Sequence, residues 1–141
     1  MNIIYVIEDY SENGGVERIV SDKANTLFTQ YHHNVTLISV YHDIRPQHYH
    51  LMDGINLIHL DVPFAKKTNN AVSRLLSRMN TMLTAINRLN NTINRLNPDI
   101  IFFTTTQAFQ CLFVFGSLKN NAIFNNLFLS RQTNTSIQKS K

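Results

Sequence analysis

The sequence predicts an α/β fold built on a doubly wound, parallel sheet. Short apolar runs rich in β-branched residues alternate with longer segments of helical spacing, the pattern of repeated strand–helix–strand units. The runs are close to continuously apolar, as strands covered on both faces require. The first run also closes on a polar turn and a glycine pair before a helical pattern opens. In parallel sheets such junctions at the carboxyl ends of strands are where ligands bind.

Asn2–Glu8 reads as the first strand, with an apolar run from Ile3 to Ile7. Val16, Ile19, Val20, Leu27, Phe28 and Tyr31 then fall at helical spacing, which predicts a helix over Val16–Tyr31. Asn34–Tyr41, with its Val-Thr-Leu-Ile-Ser-Val content, suits a second buried strand. Residues 42–54 are polar, carry Pro46 and three histidines, and read as a loop. Ile55–Leu60 is a short third strand ended by Asp61 and Pro63, and residues 64–70 form a basic, asparagine-rich connection. From Ala71 to Leu96 apolar residues recur at 72, 75, 76, 79, 82, 83, 86, 89, 93 and 96. That is one long amphipathic helix, stopped by Asn97-Pro98. Asp99–Phe103 is the fourth strand, running into Thr104-Thr105-Thr106. Ala108–Leu118 is a further helix, Ala122–Leu129 a possible last strand, and Ser130–Lys141 a polar tail expected to be disordered.

The 141 residues suffice for one domain with a real core, with residues 1–121 as the domain and 122–141 as the appended strand and tail. Cys111 is the sole cysteine, so no internal disulfide forms and a reducing cytoplasm is the simplest home. Its apolar helical setting predicts a buried, inert thiol. No signal-peptide core opens the chain, and no apolar run approaches the ~18 residues of a membrane span. Residues 1–61 hold eight acids and three bases, whereas residues 62–141 hold one acid and ten bases. The second half thus suits an anionic partner. Lys66, Lys67, Arg74, Arg78, Arg88 and Arg95 lie in a stretch, Val62 to Pro98, that contains no acid. A solvated basic face and an anionic membrane surface are both open readings, with Lys66, Lys67, Arg74 and Arg78 as the membrane-facing set. Nucleic acid is disfavoured, because no binding motif and no interleaved aromatics accompany the charges.

The surface expected to carry function is the loop Asp9–Gly15, the turn Thr104–Thr106 and the loop after Tyr41. Two of the four glycines stand at Gly14-Gly15, where the N–H groups of a helix start would face an anion. A plain tight turn explains the pair equally well. There is no Gly-x-Gly-x-x-Gly and no Gly-Lys-Ser/Thr, so dinucleotide and P-loop sites are unsupported. His42, His48 and His50 with Asp43 match no closed zinc pattern and read as a surface loop without metal. Glu17-Arg18 reads as a ligand contact or, equally, as an ion pair or solvated helix start.

Gly14-Gly15-Val16-Glu17-Arg18-Ile19-Val20 after the first strand resembles the opening of glycosyltransferase family 4 enzymes of the GT-B fold. His33-Asn34-Val35-Thr36-Leu37-Ile38 resembles their second strand, with His32 in place of the usual glycine, and Asn97-Pro98-Asp99-Ile100-Ile101 resembles their approach to the fourth. The resemblance covers residues 1 to about 119. It implies a Rossmann-like N-terminal domain that serves the acceptor side of sugar transfer from a nucleotide-sugar to a glycan or lipid-linked acceptor of a bacterial surface polysaccharide. No catalytic metal or other cofactor is implied. Gly14 and Gly15, with Asn13, Thr104 and Thr105, would line the donor-phosphate and acceptor site. A histidine that follows the fifth strand in many members has no counterpart, since all six histidines lie between 32 and 59. These residues also hold no counterpart of the nucleotide-gripping second domain. The expectation is a truncated chain, cytoplasmic or peripheral on the inner membrane face, with no catalytic residue and no activity alone. The alternative is a stand-alone, non-catalytic binding or regulatory domain of flavodoxin-like architecture.

Overall fold

Strand β1, Asn2–Ile7, is the centre of the molecule. Ile4 and Val6 point into one core, and Ile3, Tyr5 and Ile7 into the other, so the period-two geometry of the strand feeds both faces with apolar side chains. The computed structural model describes residues 1–41, 46–63 and 70–104. Around β1 they form α1 (Gly15–Thr29), β2 (Asn34–Tyr41), β3 (Asn56–Val62), α2 (Ala71–Leu96) and β4 (Ile100–Phe103). The sheet is all parallel, in the order β3-β2-β1-β4. This is a Rossmann-like α/β architecture. β1 lies between β2 and β4, whereas a flavodoxin-like sheet sets its first strand between the second and third. The flavodoxin-like alternative is corrected on that point.

The steps from β1 to β2 and from β2 to β3 carry their connections on one face. There Val20 and Ala24 of α1, with Tyr49, Leu51 and Ile55 of the second crossover, pack on Ile3, Tyr5, Ile7, Val35 and Leu37. The return from β3 to β4 reverses direction and puts α2 on the opposite face. Leu89 and Ile93 there, with Ala85 and Leu96 beside them, cover Ile4, Val6, Ile38, Val40, Leu60, Val62, Ile101 and Phe103. That alternation follows from right-handed crossovers, and it places the topological switch between β1 and β4.

The boundaries move slightly. β1 ends at Ile7 rather than Glu8, and α1 spans Gly15–Thr29, two residues short of Tyr31. β3 does not stop at Leu60. Asp61 turns to φ 49° and a register irregularity opposite Ser39 and Tyr41 lets Val62 rejoin the ladder; such bulges insert a residue without ending the strand. Asp99 stays outside β4, which begins at Ile100. It pins the strand's amino end instead: its carboxylate accepts the Asn2 N–H at 2.7 Å, and its own N–H donates to the Asn2 carbonyl at 2.9 Å. Gly54, at φ 111°, has the Phe28 ring where a side chain would stand. The expected helix 108–118, strand 122–129 and tail 130–141 lie outside the described residues, as does the boundary at 121.

The long helix occupies the span its periodicity predicts, yet only its second half is packed. Buried residues begin at Ile86, while Val72, Leu75, Leu76, Met79, Met82 and Leu83 are all exposed. A 26-residue helix is about 39 Å long, against roughly 20–26 Å for strands of six to eight residues. Because α2 runs antiparallel to the strands, its surplus first half projects past the carboxyl edge of the sheet.

Candidate functional site

The carboxyl edge brings the ends of β1 and β4 together. Thr104, buried just beyond β4, donates both its N–H (3.1 Å) and its Oγ1 hydroxyl (3.0 Å) to the Val6 carbonyl. The hydroxyl proton is thereby spent on fastening the two strands. On the other flank the Tyr41 N–H donates to the Glu8 carbonyl at 2.8 Å, and the Ser39 hydroxyl accepts the Tyr10 N–H at 3.0 Å. Asp9 then folds the chain back, its Oδ1 accepting the Ser11 N–H at 2.8 Å, an Asx turn of the kind short carboxylates favour. These bonds aim the loop at the start of α1.

Gly14 is the N-cap of α1, in extended geometry that any residue adopts (φ −113°, ψ 172°). Its lack of a side chain matters for space: a Cβ there would run into the Glu17 carboxylate. Gly15, the first helical residue, is exposed with nothing near its Cβ position. Of the pair, only Gly14 meets a neighbour, and that neighbour is the far end of the Glu17 side chain, which can swing aside.

Glu17 is buried and turns back along the first turn, its carboxylate accepting the N–H of Gly14 and its own N–H. This is the reciprocal half of a capping box, with the glutamate three residues after the N-cap. Burial pushes its carboxyl group above the ordinary value of 4.5, and neighbouring Glu12 and Asp9 add to the shift, while the two backbone hydrogen bonds oppose it. Glu8 is raised as well, by burial first and by Glu12 second. The loop is therefore acidic, and the positive end of α1 already holds a carboxylate. Arg18 is exposed and only its backbone engages the turn, its N–H donating to the Gly14 carbonyl at 3.4 Å.

A strap formed by the crossover between β2 and β3 completes one wall. The Ser21 hydroxyl and the Asn25 amide both donate to the His50 carbonyl (2.9 and 3.0 Å), and the Met52 N–H donates to Asn25 Oδ1 at 2.9 Å. The Tyr10 hydroxyl donates to the Tyr49 carbonyl at 3.1 Å, and the Tyr49 hydroxyl reaches Asn13 Oδ1 at 2.9 Å. Tyr49 thus orients Asn13, a residue singled out from sequence, and no periodic signal marks Tyr49. Glu17 was read as a ligand contact, an ion pair or a solvated helix start, and its capping role was missed; the signal was its spacing, three positions past an N-cap.

The structure brings Asn13, Gly14, Gly15 and Thr104 to the same edge. Thr105, Lys66 and Lys67 lie outside the described residues, with His42 and Asp43. Arg74 and Arg78 are exposed on the projecting half of α2. Arg88 is not part of a shared basic face: its guanidinium donates to the Leu60 and Asp61 carbonyls at 2.6 and 2.9 Å, binding α2 to β3. Arg95 sits in the last turn, at the opposite edge of the sheet. A separate groove of about 320 Å³ lies between α1 and β4, lined by Tyr5, Asp22, Lys23, Thr26, Leu27 and Phe102. The Tyr5 and Phe102 rings stack there with centroids 4.9 Å apart, and burial pushes the Tyr5 phenol up to about 12.

No protein-family model matches the chain, and no curated protein matches it. Among the described residues, no helix is long and apolar enough to cross a membrane.

Proposed function

We propose that this chain is the acceptor-side, N-terminal domain of a glycosyltransferase of the family 4 type. In that role the Asn13–Gly15 loop meets the phosphates of a nucleotide-sugar held by a facing domain, and the carboxyl edge meets a glycan or lipid-linked acceptor. One observation carries the reading. The three stretches that resemble the family fall in order along one parallel sheet: Gly14–Arg18 after β1, His33–Ile38 at the start of β2, and Pro98–Ile101 at the start of β4, in a β3-β2-β1-β4 sheet. His32 supports it further. It adopts φ 53°, the left-handed geometry glycine tolerates best, where the family places glycine.

Sugar transfer needs donor and acceptor fixed in one geometry, and the described residues offer a single wall. The purified chain is therefore expected to release no nucleotide from UDP-glucose or GDP-mannose. Either ligand at high concentration should shift the backbone amide resonances of Gly14, Gly15 and Val16. Nucleotide release by the chain alone would overturn the division of labour. Unperturbed glycine-loop amides would overturn the site. The second reading, a non-catalytic binding domain, draws on the Glu17 carboxylate already seated at the helix start, and the same titration favours it if shifts cluster elsewhere.

A further inference from the structure

We propose that the projecting half of α2, from Val72 to Leu83, is an interfacial anchor that docks the protein on an anionic lipid surface. The inference rests on this helix alone and is independent of any sugar chemistry.

Val72, Leu75, Leu76 and Met79 are 71%, 60%, 61% and 52% exposed, and Met82 and Leu83 extend the same stripe. Contiguous apolar surface of this kind is rarely left to water by a monomer and marks a contact face. Arg74 and Arg78, one turn apart, lie on the helix face away from the stripe, beside Ser77 and Thr81, with Ser73 and Asn80 toward its other margin. No acid occurs between Val62 and Pro98, so nothing on the helix repels a phosphate head group. An apolar stripe backed by an arginine-bearing polar face without acids is the profile of a helix lying in a bilayer interface, with the apolar side chains in the acyl boundary and the guanidinium groups reaching up to head-group level. Charge decides against a second copy as the occupant. Two such stripes laid together would leave all four arginines without a carboxylate on either helix, whereas an anionic surface offers each a phosphate. The projecting half stands at the carboxyl edge, so docking would hold the glycine-loop edge close to the lipid.

The test is co-sedimentation of the full chain with vesicles of equal parts phosphatidylglycerol and phosphatidylcholine, and with phosphatidylcholine alone. The variants are Arg74→Gln/Arg78→Gln and Leu76→Ser/Met79→Ser, whose positions are exposed and whose folding is checked by circular dichroism. The wild type should prefer the anionic vesicles. At ~1 kcal/mol per basic group near such a surface, the arginine pair is worth about thirtyfold in affinity, and this difference should vanish at ~1 M salt, where the Debye length is ~3 Å. The apolar pair should weaken binding at both salt concentrations. Wild-type binding by either double variant overturns the proposal. So does an absence of vesicle binding together with a concentration-dependent dimer that Leu76→Ser/Met79→Ser abolishes, which would make a second copy the occupant.

Discussion

Truncating Leu89 and Leu76 to alanine, one at a time, tests whether α2 is packed along only half its length. Both residues belong to the same helix, and both substitutions change helix propensity equally, slightly in alanine's favour. Leu89 is 3% exposed in the core shared with β1, β2, β3 and β4, whereas Leu76 is 61% exposed on the projecting half. Each substitution removes three carbons, worth ~0.8 kcal/mol apiece when fully buried. For Leu89 that is about 2.3 kcal/mol, and the cavity left beneath the helix raises the cost toward the upper part of the 2–5 kcal/mol range. For Leu76 the same carbons contribute about 0.9 kcal/mol at most, with no cavity. The difference is at least about 1.4 kcal/mol before the cavity is counted, a large share of a stability of roughly 5–15 kcal/mol. Urea unfolding followed by far-UV circular dichroism reads it directly. With a slope of ~2 kcal/mol/M, Leu89→Ala should lower the midpoint by 1 M or more and Leu76→Ala by less than about 0.5 M, slopes unchanged. Equal midpoints would mean that the first half of α2 is as firmly packed as the second, and the projecting helix would be refuted.

Two further outcomes follow from the glycine loop and the end of α1. Burial holds the Glu17 carboxyl above 4.5, so the folded chain binds that proton more tightly than the unfolded chain; stability gained through Glu17 is full below pH 4.5 and is lost as pH rises through the raised folded value. Glu17→Gln keeps an acceptor for the Gly14 N–H without the buried charge. Its melting temperature relative to wild type should therefore climb with pH across that window, and a relative decline would refute the assignment. His32 sits at φ 53°, a geometry costing a non-glycine residue roughly 1–2 kcal/mol, partly offset by glycine's greater freedom when unfolded. His32→Gly should be more stable by about 0.5 kcal/mol in chemical denaturation, and destabilisation would show that the Tyr31–His33 ring pair, centroids 6.2 Å apart, depends on the histidine backbone.

The limits of the sequence reading have a common physical origin: periodicity reports which face of an element is apolar, and says nothing of what lies opposite. β1 and β2 were legible because burial on both faces leaves a continuous apolar run that few other structures need. The same rule located α2 to the residue, yet Leu75, Leu76 and Met79 obey the period as faithfully as Ile86, Leu89 and Ile93, and only the length of the strands decides which set is covered. Asp61 was read as a strand end because the strand resumes beyond its left-handed turn only through the pairing of Tyr41 with Val62, 21 residues apart in sequence, which local propensity cannot register. Arg88 was counted with Arg74 and Arg78 on charge alone, whereas its position opposite the Leu60 and Asp61 carbonyls makes it a fastener. The candidate site divides in the same way. A glycine pair before a helix is legible as a place where N–H groups face outward. The three-residue spacing to Glu17 adds the decisive term, because the carboxylate it folds back is itself an anion on those groups. A phosphate approaching Gly14 must displace Glu17 into a loop that already carries Glu8, Asp9 and Glu12, so tight binding there needs a cation brought by the ligand or by a facing surface.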